Sequence, residues 1–411
     1  ATTTSNAAAS TSATSNAGST VAGILGAVKT HGKACFEVDR HNDRGIADYY
    51  CRRSGGDVRA VRKGCKANSI EKLEDGLYAM EFAGDYGFDD FLANGGAASG
   101  GEVAEYLVSF LSHGFYKADG NVTTGSFGCS TIYTQDENGT YFFGRNYDWA
   151  ECETMIVHTK PENGYESVST CCLDFLGFGD KYAPDGSMTE RMQSIAEIYV
   201  PLDGMNAKGL VVADLTAGDD EETYQRTGKV NLTTTAIRLL LDKAADVDEA
   251  VALLKQYDMN SSIGISHHLS IADAHGKSIV VEYVNGEMLV SETKVVTNHY
   301  LTDCEKRGVG SAQSRERYDT LAAYSGPAGA PQVRDMLESV AQKNYPKTDG
   351  SYEKTMWSIV YCPEGRCADF YFAENYDHEY RLILLGKTAL RMAGSISFKQ
   401  RTCVFRRGRR A

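Results

Sequence analysis

The chain has 411 residues, is 42% hydrophobic and carries a formal net charge of −13. That length and apolar share suffice for one large core or two smaller ones. The acidic balance excludes a general nucleic-acid binder, which needs a basic face, and no run of about eighteen or more apolar residues is present to span a membrane.

Residues 1–30 open with Ala, Thr, Ser, Asn and Gly and read as a low-complexity flexible N-terminus with nothing to bury. Residues 31–128 read as a partly helical globular segment. Within it, Val103, Tyr106, Leu107, Phe110 and Leu111 recur at helical spacing between Gly101 and Lys117. The run Gly95 to Gly101 reads as flexible. The stretch from Asn121 to Ser126 reads as a polar loop of the kind that tolerates a chain break.

From residue 129 strands dominate. Gly128-Cys129-Ser130-Thr131 opens one, and fourteen residues after Cys129 comes Phe143-Gly144-Arg145-Asn146-Tyr147-Asp148-Trp149. Asp136-Glu137-Asn138-Gly139 between them is a hairpin signal, so the pair should bring Arg145 and Asp148 back to Cys129. Thr154 to His158 is a further strand, followed by helices over Thr234 to Ala245 and Val247 to Tyr257. Ser278 to Val284, a turn at Asn285-Gly286, and Glu287 to Glu292 form a hairpin. Val295 to Asn298 is a strand and Pro331 to Gln342 a helix. Trp357 to Cys362 and Ala368 to Phe372 form the last hairpin. Strand pairs separated by helices fit a layered α+β domain over residues 129–390. Residues 391–411 end in a basic tail that reads as solvated.

The eleven cysteines would be a heavy load of free thiols in a reducing compartment, whereas one catalytic thiol would leave an even number to pair in an oxidising one. With a chain beginning at Ala1, this leads to the expectation of an exported protein, secreted or of the cell envelope, with a cytoplasmic one as the alternative.

The motif around Cys129 resembles the choloylglycine hydrolase family of N-terminal-nucleophile hydrolases, which includes bile-salt hydrolases, penicillin V acylases and acid-ceramidase-like amidases. The likeness runs from Cys129 to about Tyr380. It takes in Asp203-Gly204-Met205-Asn206, the segment from His267 to Asp273 with its hairpin, Thr297-Asn298, and Ser314-Arg315-Glu316-Arg317-Tyr318. The resemblance implies a four-layer αββα sandwich preceded by a pro-segment, self-cleavage between Gly128 and Cys129, and Cys129 as nucleophile with its own α-amino group as base. It further implies that Arg145 favours the thiolate, that Asp148 holds the amine, that Asn298 donates to the oxyanion, and that Arg317 completes the charge network, with Arg315 as the fallback. A bile-salt hydrolase carries Asn where Thr216 stands here, and the backbone donor would survive that change.

Such chemistry needs a nucleophile, a proton carrier and an oxyanion donor, and no metal or cofactor. The expected substrate is a small N-acyl amide: a fatty N-acyl amine first, then a conjugated bile acid or penicillin V. The acyl group would go to water or, in the transferase alternative, to an amine. The pro-segment could remain as a subunit, and homo-oligomerisation is left open. A non-catalytic, disulfide-stapled binding protein on the same fold is the alternative from a different class.

Other residues carry two readings. Tyr147 and Trp149 could wall an acyl pocket or pack in a core. Asn206 could line a pocket or shape a turn, and Arg145 with Asp148 could be a structural ion pair. His267 and His268 invite a zinc site, but adjacent strand residues point to opposite faces. Cys362 and Cys367 flank a tight turn and could form a hairpin disulfide.

Overall fold

The computed structural model describes residues 66–111, 128–150, 152–176, 182–219, 221–261, 264–346 and 352–384. The low-complexity N-terminus, the loop from Asn121 to Ser126 and the basic tail lie outside the described residues.

The strands are β1 (Lys66–Glu74), β2 (Leu77–Ala83), β3 (Gly128–Gln135), β4 (Tyr141–Trp149), β5 (Thr154–Lys160), β6 (Ser167–Cys172), β7 (Asp203–Asn206), β8 (Val211–Thr216) and β9 (Tyr224–Gln225). They continue as β10 (Met259–Asn260), β11 (His267–Ala272), β12 (Ser278–Val284), β13 (Glu287–Glu292), β14 (Val295–Val296), β15 (Tyr345–Pro346), β16 (Tyr352–Cys362), β17 (Cys367–Phe372) and β18 (Tyr380–Ile383). The helices are α1 (Phe88–Ala93), α2 (Gly100–Leu111), α3 (Met188–Gln193), α4 (Ala236–Lys243), α5 (Val247–Leu254), α6 (Ala312–Ala322) and α7 (Ala330–Ser339).

Nine strands form one sheet in the order β1-β2-β5-β6-β7-β8-β11-β12-β13, and seven form the other in the order β14-β3-β4-β16-β17-β18 with β15 on β16. The larger sheet is antiparallel across its paired centre, but β2 and β5 run parallel. Residues ahead of Gly128 therefore contribute β1, β2, α1 and α2, and β1 and β2 belong to the same sheet as the later strands.

The layering follows from side-chain alternation along each strand. In β3, Cys129 and Tyr133 enter the core between the sheets, while Ile132 enters a second core under the helices. In β4, Phe143, Tyr147 and Trp149 join the inter-sheet core. Helices α6 and α7 pack on the outer face of the smaller sheet, and α4 packs on β7 and β8 of the larger one, with α5 against it. The result is the helix–sheet–sheet–helix order implied by the resemblance. Gly144 lets α7 approach β4, because a Cβ there would stand 2.5 Å from Val333 Cγ1. The expected flexible run is tied down at Gly96, where a Cβ would lie 2.1 Å from the Asn231 carbonyl oxygen and Ala97 N–H donates to that oxygen at 3.0 Å.

Most of the expected elements are present with trimmed ends. The Asp136–Gly139 turn closes the β3–β4 hairpin, with Asp136 Oδ1 accepting from Asn138 and Thr140 backbone N–H. The register sets Gly128 opposite Asp148 and Cys129 opposite Tyr147. Among the described residues no helix is long and apolar enough to cross a membrane.

Candidate active site

Cys129 is fully buried near the start of β3. Each of its polar atoms meets a different part of the chain. Its backbone N–H donates to Asn298 Oδ1 at 2.8 Å, and its carbonyl accepts from Arg317 Nη1 at 2.5 Å. Its Sγ accepts from Arg145 Nη2 at 3.3 Å and lies 3.9 Å from the Asp214 carbonyl. The hairpin thus brings Arg145 to the thiol, and the segment after β14 together with α6 brings Asn298 and Arg317 to its backbone.

Arg145 reaches the sulfur from the inter-sheet side, anchored by the carbonyls of Leu202 at 2.9 Å and Asp214 at 2.7 Å. Its Nη1 also donates to the Asp203 carboxylate, and both side chains are fully buried. Asp203 collects three further donors: Trp357 Nε1 at 3.0 Å, Tyr361 OH at 2.6 Å and Thr170 Oγ1 at 2.5 Å. Asp203 received no role from the sequence. Nothing in the sequence singled it out; in the structure it opens a short strand whose four positions are all buried, where a carboxylate calls for a cationic partner.

Asp148 lies on the other face of β4. Its Oδ1 accepts from Thr355 Oγ1 at 2.7 Å and its Oδ2 from Arg317 Nη1 at 3.4 Å. Arg317 Nη2 donates to Asn298 Oδ1 at 2.8 Å and to Gln313 Oε1 at 3.3 Å. Because the Asn298 oxygen receives two donors, the orientation of that amide is set. Its Nδ2 then donates to Thr216, to the carbonyl at 2.9 Å and the hydroxyl at 3.0 Å. With residue 128 still joined to Cys129, the Cys129 nitrogen is a backbone amide and its partner is Asn298. Asn298 Oδ1 holds that N–H, and the Asn298 amide N–H groups face Thr216. Arg315, the fallback, donates to the carbonyls of Gly308 and Gly310 instead.

The electrostatics favour a silent thiol. Burial pushes Cys129 up to about 12, and Arg145 only partly opposes it. Arg145 favours the thiolate by charge and by its hydrogen bond, but the desolvation of the buried sulfur outweighs it. Burial also raises Asp148 to about 6, against the pull of Arg317 and the Thr355 hydroxyl. Gly128 sits flush against Asp148: a Cβ there would lie 3.0 Å from Asp148 Oδ2 and 3.2 Å from Glu353 Oε2.

The remaining candidates divide. Tyr147 stacks on Trp357 with ring centroids 4.0 Å apart, and Trp149 meets Phe175 edge-on at 5.6 Å; both belong to the inter-sheet core. Asn206 is fully buried and bonded to backbone groups. Its Nδ2 caps the Leu241 and Ala244 carbonyls at 3.0 and 2.7 Å, and its Oδ1 accepts from the Lys208 and Leu210 N–H groups. His267 pairs with Asp214 at 3.1 Å and His268 with Glu282 at 3.0 Å, on opposite faces of β11. Among the described residues no group of three His, Cys, Asp or Glu is arranged to hold a metal. The seven described cysteines, Cys362 and Cys367 included, are free thiols.

The sequence matches the model of a family described as acyl-coenzyme A:6-aminopenicillanic acid acyl-transferase over residues 134–377, more than half of the chain and beginning just after Cys129. No curated protein gives a significant match. Among solved structures, a mutant of conjugated bile acid hydrolase from Clostridium perfringens aligns with 15% identity and a TM-score of 0.49, over 66% of this chain and 97% of that one. Penicillin V acylase from Agrobacterium tumefaciens aligns with 18% identity and a TM-score of 0.42, over 62% and 84%.

Proposed function

The chain belongs to the acyl-coenzyme A:6-aminopenicillanic acid acyl-transferase family, and from that premise we propose that it is a self-processing cysteine enzyme that breaks linear amide C–N bonds through an acyl-thioester on Cys129. The observation that carries this reading is the distribution of partners over one residue: Arg145 at the sulfur, Asn298 at the nitrogen and Arg317 at the carbonyl. A buried structural cysteine has no need of a guanidinium at its sulfur.

In the first stage Cys129 Sγ adds to the Gly128 carbonyl carbon. The tetrahedral intermediate collapses with loss of the Cys129 nitrogen, which takes up a proton and becomes an amine, and water hydrolyses the thioester to leave Gly128 as a carboxylate. The small Gly128, packed against Asp148, leaves its carbonyl unobstructed by a side chain of its own. In the second stage the freed amine, whose ordinary pKa of about 7.7–8.0 suits proton transfer near neutrality, draws the thiol proton as the sulfur attacks the substrate amide. Asn298 Oδ1 already stands where it would orient that amine. Water then resolves the acyl-enzyme, or an amine takes the acyl group, and the family's description brings the second outcome alongside the first. Fatty N-acyl amines are the first substrate class to screen, followed by conjugated bile acids and penicillin V.

The test is the intact mass of freshly purified protein, under denaturing and reducing conditions, for the wild type and Cys129→Ala. Two fragments meeting between Gly128 and Cys129 in the wild type, and one chain in the variant, support the proposal. A Cys129→Ala chain that still splits there assigns the cut to an outside protease. A wild type that stays whole across pH, with no fast-alkylating thiol at Cys129, favours a non-catalytic relative.

A further inference from the structure

The second thiol cluster in the sequence lies away from Cys129, at the tip of the β16–β17 hairpin. Cys362 and Cys367 are directly opposed in the ladder, which sets their Cα atoms roughly 4.5–5.5 Å apart, inside the span a disulfide accepts. The four residues between them make a tight turn, with Arg366 N–H donating to the Pro363 carbonyl at 3.3 Å and Arg366 at a φ of 50°. Gly365 keeps the space above this turn open: a Cβ there would stand 2.8 Å from Cys362 Sγ and 3.3 Å from Cys367 Sγ. Both sulfurs therefore face the same small volume. A guanidinium borders it, because Arg381 on β18 donates from Nη2 to Cys367 Sγ at 3.1 Å while its Nη1 is fixed by Asp369 Oδ1 at 2.6 Å. Glu364, Gly365 and Arg366 are exposed, so a small molecule can reach the turn.

We propose that Cys362 and Cys367 form a reversible thiol–disulfide site that exchanges with low-molecular-weight disulfides of the glutathione class. The attacking group is Cys362, whose thiol is held down to about 7 by the S–H of Cys367, despite burial, with help from the Gly365 N–H and the nearby Arg381. Its thiolate attacks one sulfur of glutathione disulfide, forming a protein–glutathione bond and releasing one glutathione thiolate. Cys367 then loses its proton and attacks Cys362 Sγ, closing the protein disulfide and releasing the second glutathione. The protein pair is oxidised by two electrons, and one glutathione disulfide becomes two glutathione thiols.

The experiment equilibrates the full chain in buffers of graded reduced-to-oxidised glutathione ratio. The samples are acid-quenched and alkylated with iodoacetamide, and the peptide spanning 362–367 is read by mass spectrometry. The expected result is a reversible interchange between a doubly alkylated peptide and one closed by loss of two hydrogens, with a single midpoint. The midpoint should lie at an oxidised-glutathione level at least tenfold lower in the native protein than in urea. Cys367→Ser should trap the glutathione adduct on Cys362. The proposal is overturned if both cysteines stay alkylatable at every ratio, if the bridge is present from the start and resists reduction until the chain unfolds, or if folding makes no difference to the midpoint.

Discussion

Asp203→Asn is the most informative single perturbation of the site. Asp203 is fully buried and takes donors from Arg145, Trp357, Tyr361 and Thr170. The amide keeps one acceptor oxygen for Arg145 and Trp357, and its NH2 must face the Thr170 and Tyr361 hydroxyls, which have to turn from donors into acceptors. It also leaves the Arg145 guanidinium buried without its counter-charge, and breaking such a pair costs about 3–5 kcal/mol. For a domain of this size roughly 1.5 °C is lost per kcal/mol, so the melting temperature should fall by about 5–8 °C. The double variant Arg145→Met with Asp203→Leu removes both charges and should recover most of that loss, yet remain uncleaved because the donor to Cys129 Sγ is gone. Differential scanning fluorimetry measures the first quantity and gel analysis of the 128/129 cut the second. If Asp203→Asn melts within about 1 °C of wild type, a shift too small for a broken buried pair, Asp203 is not the counter-ion of Arg145 and the argument for a preset Arg145 collapses.

Asp148 yields a pH prediction. Its carboxyl is raised to about 6 in the folded chain against 3.8 as the ordinary value, so the folded state holds its proton more tightly. The associated stability is full below about pH 4 and is lost between about pH 4 and 6, by roughly 3 kcal/mol. Denaturant titrations should show that loss in a Cys129→Ala background, and it should vanish in Asp148→Asn. Thr355→Val removes the hydroxyl that donates to Asp148 and should move the window upward by about one pH unit; an unmoved window would place the control of Asp148 elsewhere. Gly144→Ala should cost about 1–3 kcal/mol by pressing on Val333 of α7, seen as a lower denaturation midpoint with an unchanged slope. With the thiol at about 12, the rate of the 128/129 cut should rise close to tenfold per pH unit between about pH 6 and 8 if the thiolate is the attacking form; faster cutting on acidification would exclude that form.

What the sequence made legible was local. The Asp136–Gly139 turn and the alternating strands beside it need only neighbouring residues to be read, and they placed Arg145 and Asp148 near Cys129 through one hairpin register. Helix α6 escaped notice because it is polar nearly throughout. Its buried stripe is only Ser314, Arg317 and Leu321, and an apolar pattern search does not count a buried arginine. The Arg145–Asp203 pair was out of reach for a different reason. It joins two sheets across 58 residues, and nothing in the spacing of β4 or β7 says which strands will face each other. β1 and β2 lie in a segment whose sequence reads as partly helical, although β2 is almost wholly buried and pairs in parallel with β5.

Arg145 illustrates how burial can outweigh a charge that does favour the thiolate. A guanidinium 3.3 Å from sulfur would depress a half-solvated thiol, but here the same guanidinium is neutralised by Asp203 and fixed by two carbonyls. It lowers the thiol by charge and by one N–H aimed at Sγ, held there by a carboxylate with three other donors, but burial outweighs both. Burial therefore decides the protonation state. On the proposed reading, activation of the thiol has to come from a group that the uncut chain does not possess, and the nitrogen bound to Asn298 Oδ1 is the atom that becomes one when the Gly128–Cys129 bond is broken. On that reading the residue that carries the buried thiol also carries its future base.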